Sequence, residues 1–376
     1  MKFRIERDAL ADAVAWSARS LPARPAAPVL AGLLLDVTDD QLSISGFDYE
    51  VSTQASLEVT AGSTGRALVS GRLLADITKA LPAHPVEVTA DGSRVSISCG
   101  SAKFTLPTMP DADYPRLPDM PTTAGTVSSS VFARAVSQVA VAAGKDDTLP
   151  MLTGVRMEIE GDRVTLAATD RYRLAVRELT WTPASSSASE LAVLVPARTL
   201  NEAARSLTGD AELSIALSTT GTGEGIIGFA GTGRRTTTRL LDAQFPPYRT
   251  LLPNDFSVTA EVSVAALTEA VKRVALVADR GTPVRLDFAD GGLVLSAGGD
   301  DEGRAEENLE VDYSGDPITT AFNPSFLLEG LGAIEAPVAR LLFTTPTKPA
   351  VIRPAGAPSG DGADYTYLIM PVRLPG

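Results

Sequence analysis

What this sequence is short of already limits its chemistry. It has one cysteine, Cys99, so no disulfide can form within the chain, and a reducing compartment suits it. It has one histidine, His84, in a loop between Ala83 and Pro85; a Ser-His-Asp triad or a histidine-rich metal site would have to use it, and both are set aside. No lysine follows a serine by three residues, and no G-x-S-x-G elbow occurs. The glycine-rich run GTGEGIIGFAGTG lacks the Lys-Ser/Thr of a phosphate loop and reads as turns in a hairpin. The acidic cluster Asp300, Asp301, Glu302 reads as a solvated loop, so neither metal nor cofactor is expected. No apolar run approaches the ~18 residues of a membrane span, and the charged start MKFRIERDAL is not a secretory signal. The expectation is a cytoplasmic protein without a membrane partner. Lysine is scarce too: six of 33 basic residues, so positive sites are mostly arginine forks.

What is present is repetition. The stretch 131–176 opens with an amphipathic helix, VFARAVSQVAVAA, whose apolar Val131, Phe132, Ala135, Val136, Val139 and Ala140 share one stripe. A hairpin follows, alternating polar and apolar about Glu160-Gly161-Asp162, and is expected to be half buried, with one face on the helix. The same order of strand, helix, hairpin, strand, second helix and further strands runs three times. The expected domains are 1–121, 122–253 and 254–376, and DADYPRLPDMP at the end of the first is mirrored by AQFPPYRTLLP at the end of the second. A spacing of about 125–130 residues exceeds any solenoid repeat, so each copy reads as a small α+β domain. The tract PASSSASE and the run PAGAPSGDGAD read as surface loops, the latter mobile. Cys99 lies in an alternating strand and reads as a small core residue.

The net charge of −13 argues against wholesale coating of nucleic acid. The helices depart from that balance. The first repeat puts Arg19, Arg72 and Lys79 against Asp12 and Asp76, with Arg24 just beyond; the second puts Arg134, Arg198 and Arg205 against Glu202. The third has Lys272 and Arg273 against Glu269, and its second helix carries no basic residue. Acids are thus concentrated on loops and strands. Ordinary solvated faces are one reading, and a surface that attracts phosphates without gripping them is the other. No aromatic interleaving or recognition helix points to base reading. A hydrolase built on carboxylates and a repeat adhesin or scaffold are the competing classes. The missing nucleophile speaks against the first, and the lone cysteine and basic helices against the second.

Four stretches, TDRYRLAV (169–176), YLIMPVRL (367–374), FPPYRTLLP and RPAAPVLAGLLL, resemble the bacterial sliding clamps, the beta subunits of DNA polymerase III, in their actinobacterial form. The resemblance spans all three repeats. It implies the DNA-clamp fold: three repeated α+β domains, closed as a head-to-tail dimer into a six-domain ring with helices inside and sheets outside. It implies a non-catalytic processivity factor that encircles duplex DNA without sequence preference. Arg19, Arg24, Arg72, Lys79, Arg134, Arg198, Arg205, Lys272 and Arg273 would face DNA, with the loop of Asp147, Thr148 and Leu149 near it. The homodimer would join through Phe104 and Leu106 on one side and Leu276 and Val277 on the other. A hydrophobic pocket for short linear motifs of polymerase, clamp loader and repair proteins would use Leu152, Thr169, Tyr172, Arg173, Leu174, Pro246, Pro247, Leu251, Leu368, Met370, Pro371, Val372, Arg373 and Leu374. Met370 suits several partners, and Arg173 or Arg373 would meet a peptide's polar groups. One departure from the family pattern, Pro247, fixes φ and removes an N–H at the pocket rim. It points to altered peptide or inhibitor binding, as in a duplicate copy tolerant of a clamp-binding peptide antibiotic in the same pocket.

Overall fold

The computed structural model describes residues 1–185, 190–209, 211–218, 225–278, 282–289, 291–299, 303–356 and 365–373. The acidic cluster 300–302, Leu374, and most of the two loops read as surface tracts lie outside these described residues. Six helices recur at the expected places: α1 Arg7–Ser17, α2 Gly71–Ala80, α3 Ser129–Ala140, α4 Ala197–Ser206, α5 Val264–Val274 and α6 Pro324–Gly332. α3 buries Phe132, Ala135, Val136 and Val139 of the expected stripe, and leaves Val131 and Ala140 half-buried at its ends. Each of its larger side chains contributes roughly 1.5–3 kcal/mol by leaving water. α6 starts where Asn323 accepts from the backbone N–H of Ser325 (2.9 Å) and Phe326 (3.3 Å), with Pro324 at its first position.

The repeat is finer than the sequence suggested. Each copy is a strand, a helix and three antiparallel strands, twice over. The opening strand of each half joins the three strands of the other half. Lys2–Ile5 lies beside Val86–Asp91, and Gly65–Ser70 beside Gly32–Thr38. The second copy pairs Thr123–Ser128 with Glu212–Ser218 and Leu191–Pro196 with Gly154–Glu160. The third pairs Val258–Ser263 with Val338–Phe343 and Ile318–Phe322 with Val284–Ala289. This exchange ties the halves together, because neither four-stranded sheet is complete without the other's first strand.

Consecutive copies are then joined edge to edge. The third hairpin strand of the first copy, Val51–Glu58, pairs with the last strand of the second, Arg234–Arg239. By the same rule Arg173–Thr180 pairs with Tyr365–Ile369, the last strand of the third. Contacts follow these continuous sheets, so two compact units form: Met1–Ser129 with Glu202–Leu240, and Ser130–Asn201 with Leu241–Gly376.

The expectation of a half-buried hairpin in the second copy needs correction. Gly154–Glu160 alternates, but Arg163–Thr169 is buried at every position after Arg163. Its second face is covered by the chain closing that copy: Ala167 packs in one cluster with Phe245 and Tyr248. Cys99 is buried, and its thiol donates to the carbonyls of Pro82 and His84 at 3.2 Å, as expected of a core residue. Among the described residues no helix is long and apolar enough to cross a membrane.

Candidate functional site

The tight turn 169–173 organises the site. Asp170 Oδ1 accepts from the backbone N–H of Tyr172 (3.1 Å) and Arg173 (3.2 Å), and the Thr169 hydroxyl donates to the Arg173 carbonyl (2.6 Å). Arg171 takes φ +79°, a left-handed conformation that this carboxylate-capped turn holds in place. The result sends neighbouring side chains opposite ways: Tyr172 is 55% exposed, whereas Arg173 is 4% exposed.

Arg173 is therefore not free to meet a peptide, contrary to the expectation from sequence. Its Nε donates to Asp170 Oδ2 at 2.9 Å, its Nη1 donates to Glu329 on α6, and its guanidinium lies 4.3 Å from the Phe326 ring centroid. Burial alone would lower its pKa, but the hydrogen bond to Glu329 and the charge of Asp170 outweigh that and raise it. Arg373, in the tail, is exposed, as is Arg171 in the turn itself.

The tail after Tyr365–Ile369 is held by two backbone bonds. Met370 N–H donates to the Tyr172 carbonyl and Val372 N–H to the Ala321 carbonyl, both at 2.8 Å. Met370 and Val372 remain exposed. Thr319, Thr320, Ala321, Pro346 and Thr347 form, with 370–373, a cavity of about 600 Å³. The other expected wall residues divide into floor and rim. Leu174 and Leu368 are buried in a cluster with Leu194, Leu342, Val351, Phe245 and Tyr248. Thr169 is buried as well, and Leu152 sits with Tyr172, Arg173, Phe326 and Glu329 around a second cavity of about 450 Å³. Pro246 is half-buried, Pro247 and Leu251 are exposed, and Pro371 is half-buried.

A carboxylate fixes that rim. Glu158 accepts from Arg156 Nε (2.6 Å), the Tyr248 hydroxyl (2.9 Å) and Arg249 Nη2 (2.5 Å). Burial pushes its pKa up, yet these three donors prevail and hold it below the ordinary glutamate value. The clip pins the short helical turn Tyr248–Leu251, on which Pro247 carries a carbonyl accepting from Thr250 Oγ1 at 2.7 Å. Sequence reasoning missed Glu158, Thr319, Thr320, Phe326, Glu329 and Thr347. Only the strand-to-strand pairing brings them to the groove, and no local pattern announces it.

All nine basic residues singled out on or near the helices are exposed. They are not equally available. Arg134 pairs with Glu335 at 3.1 Å, Lys272 with Glu269 at 2.8 Å, and Arg273 with Glu307 at 2.5 Å. The expected positive surplus is thus compensated on α5, although exposed pairs of this kind are worth only about 0–1 kcal/mol and exchange readily. Arg72 donates to the Pro22 carbonyl at 3.3 Å. In the loop at 147–149, the Thr148 backbone N–H (3.0 Å) and hydroxyl (2.6 Å) both donate to Asp146 Oδ1.

Among the described residues, two strands bear on the expected joint. Ala102–Met109 pairs fully with Arg94–Cys99, but with Gly65–Ser70 only at Met109 and Thr108. Arg304–Leu309 is the last strand of its four-stranded sheet. Beside them Phe104 and Leu276 are exposed, Leu276 to 83%, and Val277 is half-buried. Leu106, expected at the joint, is 2% exposed in the protomer's own core; Phe104, two residues back on the same strand face, is left exposed, so the burial of that face deepens along the strand.

Three profiles of the DNA polymerase III beta subunit match the chain in succession: the N-terminal domain over residues 1–118, the central domain over 126–247 and the C-terminal domain over 249–373. The beta sliding clamp of Streptomyces coelicolor is 59% identical, with both chains fully covered. The beta sliding clamp homolog GriR of Streptomyces muensis is 46% identical, again over both whole chains. Among solved structures, the Pseudomonas aeruginosa sliding clamp bound to griselimycin superposes with a TM-score of 0.92 at 28% identity, covering all of both chains.

Proposed function

The chain belongs to the DNA polymerase III beta-subunit family, the sliding clamps, and we propose that it works by encirclement rather than adhesion. It is a non-catalytic processivity factor of DNA replication. Two copies join head to tail into a closed ring around duplex DNA, in the cytoplasm. The observation that carries this reading is the joining rule. Twice within the chain, the third hairpin strand of one copy pairs with the last strand of the next. Applied once more, the rule sets Arg304–Leu309 of one protomer against Ala102–Met109 of its partner, along the stretch that Gly65–Ser70 leaves unpaired. Head-to-tail pairing of two chains satisfies both edges at once and closes a six-domain ring, which removes the liability of exposed strands. Phe104 packing near Leu276 and Val277 would seal each joint, with Leu106 supporting the strand from behind. Domain boundaries at 1–121, 122–253 and 254–376 fit this arrangement.

A ring retained by topology needs little affinity. The nine cations Arg19, Arg24, Arg72, Lys79, Arg134, Arg198, Arg205, Lys272 and Arg273 would face phosphate weakly, which limits counterion release and drag. Groove binding of short linear motifs from polymerase, loader and repair proteins, at Kd near 1 μM or about −8 kcal/mol, suits partners that must exchange. Light scattering on the purified chain tests closure: a particle of twice 39.2 kDa is expected, Leu276→Lys should convert it to monomer, and a wild-type monomer at micromolar concentration contradicts it.

The second reading, a duplicate copy tolerant of a clamp-binding antibiotic, rests on Pro247 at the rim and on the 46% identity to GriR. Griselimycin and a polymerase-derived pentapeptide would occupy the same groove. Replacing Pro247 by Asp should change griselimycin affinity by roughly threefold or more, about 0.7 kcal/mol. An unchanged value removes this reading and leaves the clamp function intact.

A further inference from the structure

The turn that carries Tyr172 has a twin. At the first junction, residues 48–51 repeat its backbone: Tyr49 takes φ +76°, and Asp48 Oδ1 accepts from the N–H of Glu50 (3.0 Å) and Val51 (2.7 Å). The Arg239 N–H donates to the Glu50 carbonyl (3.1 Å) as Met370 N–H does to Tyr172. The position of Arg173 is held there by Val51, so this turn forms without a buried arginine. The ion pair at the second junction is therefore not required for the turn's conformation, and it answers some other need.

What it adds is a link to α6. Arg173 bonds Asp170 within the turn and Glu329 on the helix, and lies over Phe326 one helical turn before Glu329. Phe326 in turn stacks on Tyr172, with ring centroids 6.1 Å apart and planes inclined by 26°. The Tyr367 hydroxyl donates to the Phe326 carbonyl at 2.8 Å, closing the link from the C-terminal strand. Gly330 permits this approach, since a Cβ there would lie 2.4 Å from the Tyr367 ring. Tyr172, 55% exposed, has the Arg171 guanidinium 5.8 Å from its ring centroid and is backed by the Phe326 ring, which the Arg173 guanidinium covers in turn.

We infer that Glu329 is a positioning residue for the groove: through Arg173 and Phe326 it holds the Tyr172 ring upright as a preformed wall for a bound peptide. This rests on the reading of the groove as the peptide site. Glu329 lines the same cavity as Tyr172, so direct contact with the peptide is the competing role that the test separates. A rigid wall lowers the entropy lost on binding, so its removal raises the rate of peptide release more than it slows association.

The test is a double-mutant cycle on the full-length dimer, with binding of a labelled polymerase-derived pentapeptide read by fluorescence polarisation. Glu329→Gln should weaken binding roughly fivefold through faster dissociation, and the same change in a Tyr172→Ala background should have no further effect. Phe326→Leu, which removes the stack but keeps the ion pair, should reproduce the loss if Glu329→Gln impairs folding. Additive effects of Glu329 and Tyr172, or unchanged affinity in Glu329→Gln, overturn the inference, since a direct charge effect on the peptide would survive the loss of Tyr172. Met370→Ala separates the two levels of the argument: if it too leaves affinity unchanged, the peptide reading of the groove has failed.

Discussion

The two junctions share a backbone and differ in what lines it. At the first, the joining strand is RRTTTR, and its contacts to the neighbouring copy are hydroxyl pairs: Ser52 Oγ and Thr237 Oγ1 lie 2.6 Å apart, both buried. The apolar cluster beneath, Leu34, Phe47, Leu68 and Tyr114 with Leu117, comes wholly from the first copy. At the second junction the joining strand is YTYLI, and the cluster draws Leu174, Phe245 and Tyr248 from one copy and Leu342, Val351 and Leu368 from the next. Hydroxyls that satisfy each other leave nothing to offer a ligand. An apolar seam shared by two copies, ending in an exposed Met370 and Val372, leaves a rim that gains by being covered. The two equivalent joints thus differ in chemistry: one carries paired hydroxyls, the other an apolar seam to which both copies contribute.

The comparison breaks most readily at the rim. Met370→Ala should weaken a polymerase-derived pentapeptide about tenfold, roughly 1.4 kcal/mol, while Thr237→Ala at the first junction leaves that affinity unchanged in the same titration. A next smaller contrast concerns stability. Arg173→Ala should cost roughly 2–3 kcal/mol in chemical denaturation, less than a fully buried ion pair because Glu329 is 42% exposed, whereas Val51→Ala at the matching position should cost about 1 kcal/mol. Thr237→Val leaves the buried Ser52 hydroxyl without its partner and should cost about 1–2 kcal/mol, with no change in peptide binding. The smallest effect is pH-dependent. Because Glu158 is held below its ordinary 4.5, its clip is fully stabilising above that value and is lost as pH falls through the lowered one. Peptide affinity should therefore decline below about pH 4.5, and Glu158→Gln should flatten that decline in a titration from pH 6 to 3.

Much of this was readable from the chain. Three copies, six helices and the apolar YLIMPVRL end follow from periodicity and from motif, because both are local. The floor residues Leu174 and Leu368 were legible for the same reason. Long-range facts were not. The exchange of opening strands between half-repeats, the pairing of Arg173 with Glu329 across 156 positions, and the covering of Arg163–Thr169 by Phe245 and Tyr248 depend on topology that no window of sequence contains. Arg173 stood as a ligand contact on the family resemblance; its two carboxylates make it part of the scaffold. Leu106 shares a strand face with the exposed Phe104 yet lies in the core, because what covers that face changes along the strand, which period-two alternation does not foretell.

Retention on DNA tests encirclement most directly. The ring is loaded onto a nicked circular plasmid with its clamp loader, and bound protein is measured before and after a single restriction cut. An encircling dimer is expected to stay on the circle for many minutes and to leave within moments of linearisation, at moderate salt, because only the free ends release it. Equal dissociation from circle and line would mean that the protein adheres to the duplex rather than surrounding it.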